Sequence, residues 1–90
     1  MAVTVVVPAS FQSLCAGQDR LDIESGTIAK VLDQLGKEYP QLRDRIFDAS
    51  GLRSFVRLAV NGEDIALLDG LETSLADGDE LRIVSAIVGG

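Results

Sequence analysis

Few residues of this 90-residue chain can carry covalent chemistry, and two of the candidates stand last: the segment LRIVSAIVGG ends on Gly89-Gly90. There is one cysteine, Cys15, and no histidine. The usual Cys/His zinc sets therefore cannot be assembled, and neither can a Ser/His/Asp or Cys/His nucleophile arrangement. No GxGxxG or GxxxxGK[ST] phosphate-binding motif occurs. Self-contained catalysis is not expected. A terminal glycine offers different chemistry. Its carboxylate has no Cβ beside it, so it can enter a narrow active site and be attacked with little hindrance. Gly89 would let the backbone lie flat against a channel wall. The plain alternative is a frayed chain end. The segment after Ser85, residues 86–90, is expected to be a flexible tail reaching at most about 17 Å.

The elements that must position this tail are legible from periodicity. Val3 to Val7 is β-branched and stopped by Pro8, which reads as a strand. Arg20 to Glu24 alternates polar and apolar residues, a second strand with one wet face. Between them PASFQSLCAGQD is expected to be a mobile hairpin connection. Ile28, Val31, Leu32 and Leu35 then form one stripe of an amphipathic helix, with Thr27 as N-cap and Gly36 as its stop. Pro40 begins a shorter helical segment carrying Leu42, Ile46 and Phe47, followed by a loop, DASGLRS. Phe55 to Val60 alternates again and meets Asn61-Gly62, the signature of a type I′ hairpin. The return strand is expected over Glu63 to Ala66, with Leu71 and Leu75 plugging the core. Leu81 to Ser85 is the last strand. The sequence thus predicts a mixed α+β sheet of four to five strands with one main helix across one face.

Strand parity assigns the faces. Val3, Val5, Val7, Val56, Leu58, Val60, Leu81 and Ile83 should meet the helix. The opposite parity holds Thr4, Val6, Phe55, Arg57, Ala59, Arg82 and Val84. That face is unusually apolar for one expected to meet water, and Phe55 beside Arg57 is a pairing enriched at interface centres. Val6, Phe55, Arg57, Ala59, Arg82 and Val84 are therefore candidate partner-binding residues.

Bulk composition narrows the partners. Apolar residues make up 47% and charged residues 24%, ordinary for one small globular domain. A net charge of −6 argues against nucleic acid or an anionic membrane, and favours a partner with a basic rim. A lone cysteine excludes an internal disulfide and fits a reducing cytoplasm. The N-terminal apolar run lacks a basic lead and cleavage pattern, so export is not expected. DGDE, Asp77 to Glu80, lacks the ligand spacing of a calcium loop and reads as a turn.

Four stretches carry a resemblance that spans the whole chain: SGTIAKVLDQL, VRLAVNGEDI, LADGDELRI and the terminal GG. With them the sequence resembles the MoaD/ThiS family of ubiquitin-like (β-grasp) sulfur carriers. Its length and the segment YPQLRDRIFDASG are more similar to the MoaD and CysO type than to the shorter ThiS type. Such carriers often have a proline after the last strand, where this chain has Ser85-Ala86. The resemblance implies a β-grasp domain over 1–85 and a tail over 86–90. It implies an adenylating partner, related to ubiquitin-activating enzymes, that uses ATP to convert the Gly90 carboxylate to an acyl-adenylate. Sulfur transfer then gives a thiocarboxylate, which a sulfur-accepting synthase consumes. Val88 and Gly89 would thread the partner's channel. The chain itself would bind no cofactor and would not be an enzyme. Molybdopterin, cysteine, thiamine thiazole and siderophore-type thioacids all stay open as destinations. Two other readings stay open: a protein modifier joined to lysines through Gly90, and an accessory β-grasp subunit with no chemistry at its terminus. In a sulfur carrier Cys15 invites reading as a persulfide thiol. No histidine is available to lower its pKa, and a small, partly buried hydrophobe is the reading adopted.

Overall fold

The computed structural model describes residues 2–85. The expectations for Val88, Gly89 and Gly90, and for the tail as a whole, lie outside the described residues. Strand β1 (Ala2–Val6) runs antiparallel to β2 (Arg20–Glu24) on one side and parallel to β7 (Glu80–Ser85) on the other. β7 pairs antiparallel with β5 (Val56–Val60), and β5 with the two-residue β6 (Glu63–Asp64). The sheet order is β2-β1-β7-β5-β6. Both central strands, β1 and β7, alternate between core and outer face, as parity requires.

Helix α1 (Ile28–Glu38) crosses one face and buries Ile28, Val31, Leu32 and Leu35, the predicted stripe. Thr27 Oγ1 accepts the backbone N–H of Lys30 at 3.2 Å, which fixes the helix start. The expected stop at Gly36 is overturned: the helix continues for another two residues. Gly36 is there for space. A Cβ at this position would meet the Arg43 side chain, with its Cβ at 3.1 Å and its Cγ at 3.2 Å. Arg43 belongs to α2 (Pro40–Ile46), which opens on Pro40 as predicted and buries Leu42 and Ile46. Its guanidinium lies 4.9 Å from the Phe47 ring centroid and 3.6 Å from Asp33. Phe47 is not helical. It starts a small hairpin, β3 (Phe47–Asp48) with β4 (Gly51–Leu52), inside the segment expected to be a loop.

Two further expectations are corrected. The β1–β2 connection is no mobile loop; Ala9–Cys15 forms a 3-10 helix that buries Phe11 and Cys15, apolar anchors four residues apart. The return strand after Asn61-Gly62 stops at Asp64, because the Asp64 carboxylate accepts the Ala66 N–H at 2.8 Å and caps a 3-10 turn, Ile65–Leu67. The hairpin turn itself is as predicted, with positive φ at Asn61 (50°) and Gly62 (90°). Leu75 is buried and Leu71 packs against the core.

Candidate functional site

The described residues contain no concave pocket and no cluster of His, Cys, Asp or Glu fit for a metal ion. No buried side-chain nitrogen or oxygen among them lacks a hydrogen-bond partner. None of their helices is long and apolar enough to cross a membrane. The surface that combines regular geometry with exposed apolar atoms is the outer face of the sheet.

Register lays this face out in rows. Thr4 stands between Asp22 on β2 and Glu80 on β7. Two residues further along, Val6 stands between Arg20 and Arg82, and Arg82 faces Ala59 on β5. The last row pairs Val84 with Arg57. The face is therefore acidic at one end and basic with apolar residues at the other. Chain direction along β7 puts Ser85, where the described residues end, at the basic end.

Each predicted site residue has a definite place. Val84 is 40% exposed, Arg57 and Arg82 are exposed, and Ala59 is half-buried. Val6 lies on the outer parity yet is only 9% exposed and stands apart from the core cluster. The row neighbours with stems long enough to cover it are Arg20 and Arg82. Phe55 is the correction. It lies outside β5, in a turn closed by the Val56 N–H donating to the Arg53 carbonyl at 3.0 Å, and it packs half-buried against the core. Alternation applies only within a strand, so its outward assignment fails one residue before β5 begins.

Sequence reasoning missed two features of this surface. The first is Arg20, which the register brings beside Val6. Glu80 holds both neighbours, its Oε1 3.4 Å from Arg20 Nη1 and its Oε2 3.4 Å from Arg82 Nη2. These bridges are too exposed to add more than about 1 kcal/mol each. Their effect is to orient two guanidinium groups over one row. The second is Leu67-Leu68, 75% and 37% exposed, beyond the β6 edge. Three consecutive apolar residues, Ala66 to Leu68, in a segment rich in acids were the available signal.

Cys15 is not part of this surface. It is fully buried, its Sγ 3.2 Å from the Gln18 carbonyl oxygen. Burial pushes the thiol pKa up, with a backbone hydrogen bond at Gln18 opposing it. A thiol of that kind stays protonated and is a poor nucleophile.

The comparisons with known proteins follow this topology. The ThiS family profile matches residues 5–90. The sulfur carrier protein CysO of Mycobacterium tuberculosis is 34% identical over 93 residues, covering all of both chains. Its crystal structure superposes with a TM-score of 0.87, covering 94% of this chain and 99% of that one. The crystal structure of the Amycolatopsis orientalis BexX/CysO complex gives a TM-score of 0.90 at 29% identity, covering 99% and 100%. Small archaeal modifier protein 1 from Methanosarcina acetivorans gives 0.87 at 31% identity, covering 99% and 96%. With the β-grasp sheet, the helix across it and these full-length matches together, the chain belongs to the ThiS family.

Proposed function

We propose that this protein is a sulfur carrier rather than a catalyst, loaded at the Gly90 carboxylate by a partner enzyme. The observation that supports this most is the full-length similarity to CysO sulfur carrier proteins. A free carboxylate is a poor electrophile, so loading needs an activated leaving group. A Gly90 carboxylate oxygen attacks the α-phosphorus of ATP held by an adenylating enzyme, and pyrophosphate departs. A sulfur nucleophile at the sulfide level then attacks the acyl carbon, and AMP leaves. The resulting thiocarboxylate is a protein-bound sulfide for an accepting synthase in cofactor, cysteine or other sulfur-metabolite synthesis. Val88 and Gly89 thread the activating channel. The row of Val6, Ala59 and Arg82, with Val84 and Arg57 beside it, docks the partner; Phe55 supports the fold beneath. A family relative, CysO of Amycolatopsis orientalis, has been crystallised with a partner protein, BexX.

The experiment is direct. Intact-mass analysis of protein from its native cells should show a species heavier by the sulfur-for-oxygen exchange, and incubation with the adenylating enzyme and ATP should release pyrophosphate. One residue appended after Gly90 should abolish both. Unaltered turnover by that extended chain would refute the proposal.

A second reading has its own support. Small archaeal modifier protein 1 of Methanosarcina acetivorans and small archaeal modifier protein 3 of Haloferax volcanii, the latter 31% identical over 67 residues, are similar to this chain. Conjugation to lysines would use the same acyl-adenylate. A ladder of high-mass conjugates in lysate blots separates it from a carrier role, which leaves only the free chain.

A further inference from the structure

Asn61-Gly62 makes a tight turn, and it is also the dipeptide most open to a covalent change that needs no enzyme. Gly62 has no side chain to shield its backbone nitrogen. That nitrogen can attack Cγ of the Asn61 carboxamide and form a new C–N bond. The Gly62 proton passes through water to Nδ2, which leaves as ammonia, and a cyclic succinimide closes. One water then opens the ring to aspartate or isoaspartate. The step needs a carboxamide free to swing to the Gly62 nitrogen.

In the folded chain that carboxamide is engaged at both ends. Its Nδ2 donates to Asp79 Oδ1 at 3.2 Å, and its Oδ1 accepts the Glu80 N–H at 2.9 Å. The Asn61 backbone N–H donates to the Glu80 carbonyl at 2.9 Å. Main chain and side chain of Asn61 therefore grip one residue, directly beyond the Val60–Leu81 pair of the β5–β7 ladder. This draws the carboxamide toward β7, on the side of its own N–H, whereas the attacking nitrogen follows its carbonyl. Asp79 is held in turn, its Oδ2 accepting the Ala76 N–H at 2.8 Å. The carboxylate beside Asn61 also opposes the negative charge through which the attack passes.

We propose that Asn61 is a modification site gated by this clamp, closed to deamidation while Asp79 and Glu80 hold it and open once the 76–80 turn lets go. Two hydrogen bonds of ordinary strength keep the reactive arrangement down roughly tenfold or more. The product then works against re-forming the clamp. Aspartate at 61 loses the donor and sets a second carboxylate against Asp79. Isoaspartate lengthens the main chain inside the two-residue turn that sets the β5–β6 register. The change therefore marks irreversibly a chain that has opened at this end of the sheet. Glu80 starts β7 and Ser85 ends it, so the mark lies at the far end from the tail, whatever the tail carries.

The test is peptide mapping by mass spectrometry for the amide-to-acid exchange at Asn61, during incubation of the full chain at mildly alkaline pH. Folded wild type should convert at least about tenfold more slowly than wild type in guanidinium chloride. Folded Asp79→Ala should convert several-fold faster than folded wild type. Thr27→Ala loses the α1 cap and keeps the clamp, so it controls for general destabilisation and should stay within about twofold of wild type. Where Asp79→Ala does not fold, Asp79→Asn, which keeps the shape and can satisfy only one of the two donors, replaces it with the same expectation. Equal rates for the Asp79 variant and Thr27→Ala overturn the gate, as does a folded wild type that converts as fast as the unfolded chain. Asn61→Asp should melt below wild type, and an unchanged melt overturns the effect on the turn.

Discussion

Gly36→Ala sets two effects of opposite sign against each other. In an ordinary helix interior this change stabilises by about 0.8–1 kcal/mol, because glycine is the more costly residue to order. Here the new methyl would occupy the space of the Arg43 side chain, including atoms close to the α2 backbone. Moving Arg43 gives up its stacking on Phe47, worth about 0.5–1 kcal/mol at an exposed site. It also gives up the Asp33 contact, which is exposed enough to count for a few tenths, roughly. Forced overpacking between α1 and α2 adds about 1–3 kcal/mol. The net expectation is a loss of about 1–3 kcal/mol, or roughly 4–24 °C in Tm for a domain of this size. Urea denaturation gives the sign, and a second background gives the cause. With Arg43→Ala already present only the Cβ contact at 3.1 Å remains, so Gly36→Ala should cost at least about 1 kcal/mol less than it does in wild type. A stabilising Gly36→Ala in wild type, or identical effects in both backgrounds, would refute the packing explanation.

Three other outcomes follow from the geometry. Val84→Asp should weaken binding to the activating enzyme by roughly tenfold with little change in Tm, whereas Phe55→Asp should cost about 2–3 kcal/mol of stability; calorimetry that found both variants equally stable would remove Phe55 from the core. Asp48 Oδ1 accepts both the Ser50 N–H and its hydroxyl at 2.8 Å, and these bonds hold its pKa below the ordinary 3.8. A lowered folded pKa gives stability that is present above 3.8 and lost as pH falls through the lower folded value, so the Ser50 amide shift followed by NMR should titrate with its midpoint below pH 3.8. Cys15 has the opposite sign, its contribution present below the thiol's unfolded pKa and lost as pH rises through the raised folded value; iodoacetamide at neutral pH should label it only on unfolding, and rapid labelling of native protein would contradict its burial.

The parts of the fold that were legible in the sequence are those where one local rule acts alone. The α1 stripe follows from a period of 3.6 with Thr27 ahead of it, and the β5–β6 turn from the tolerance of Asn61-Gly62 for positive φ. Misreadings occurred where a distant side chain overruled a local preference. Gly36 looks like a stop until Arg43 is known to lie against it. Glu63 to Ala66 looks like a strand until the Asp64 carboxylate reaches the Ala66 N–H. Phe55 continues an alternating pattern by one residue, yet the chain is already turning there. Of the candidate site, parity placed Val6, Arg57, Ala59, Arg82 and Val84 correctly on one face. It could not place Arg20 or Glu80 beside them, because that needs the register of three strands.

Net charge misleads at the same level. A chain of −6 suggests a partner with a basic rim. The outer face at the tail end, however, presents Arg20, Arg57 and Arg82, while the carboxylates of residues 58–81 gather toward the opposite end of that face and past the β6 edge. Long-range attraction follows total charge, but docking follows local sign within a screening length of about 8–10 Å. Two double reversals separate these effects. Arg57→Glu with Arg82→Glu makes the chain more acidic, and Asp69→Lys with Glu72→Lys makes it less so. If net charge governed recognition of the activating enzyme, one pair would strengthen binding and the other weaken it. Docking through the basic end of the sheet face requires the arginine pair to raise KM by roughly tenfold at low salt and less at high salt, and the Asp69 and Glu72 pair to leave it within about twofold. A lower KM for the arginine pair with a higher one for the acidic pair would show that the sheet face is not read locally.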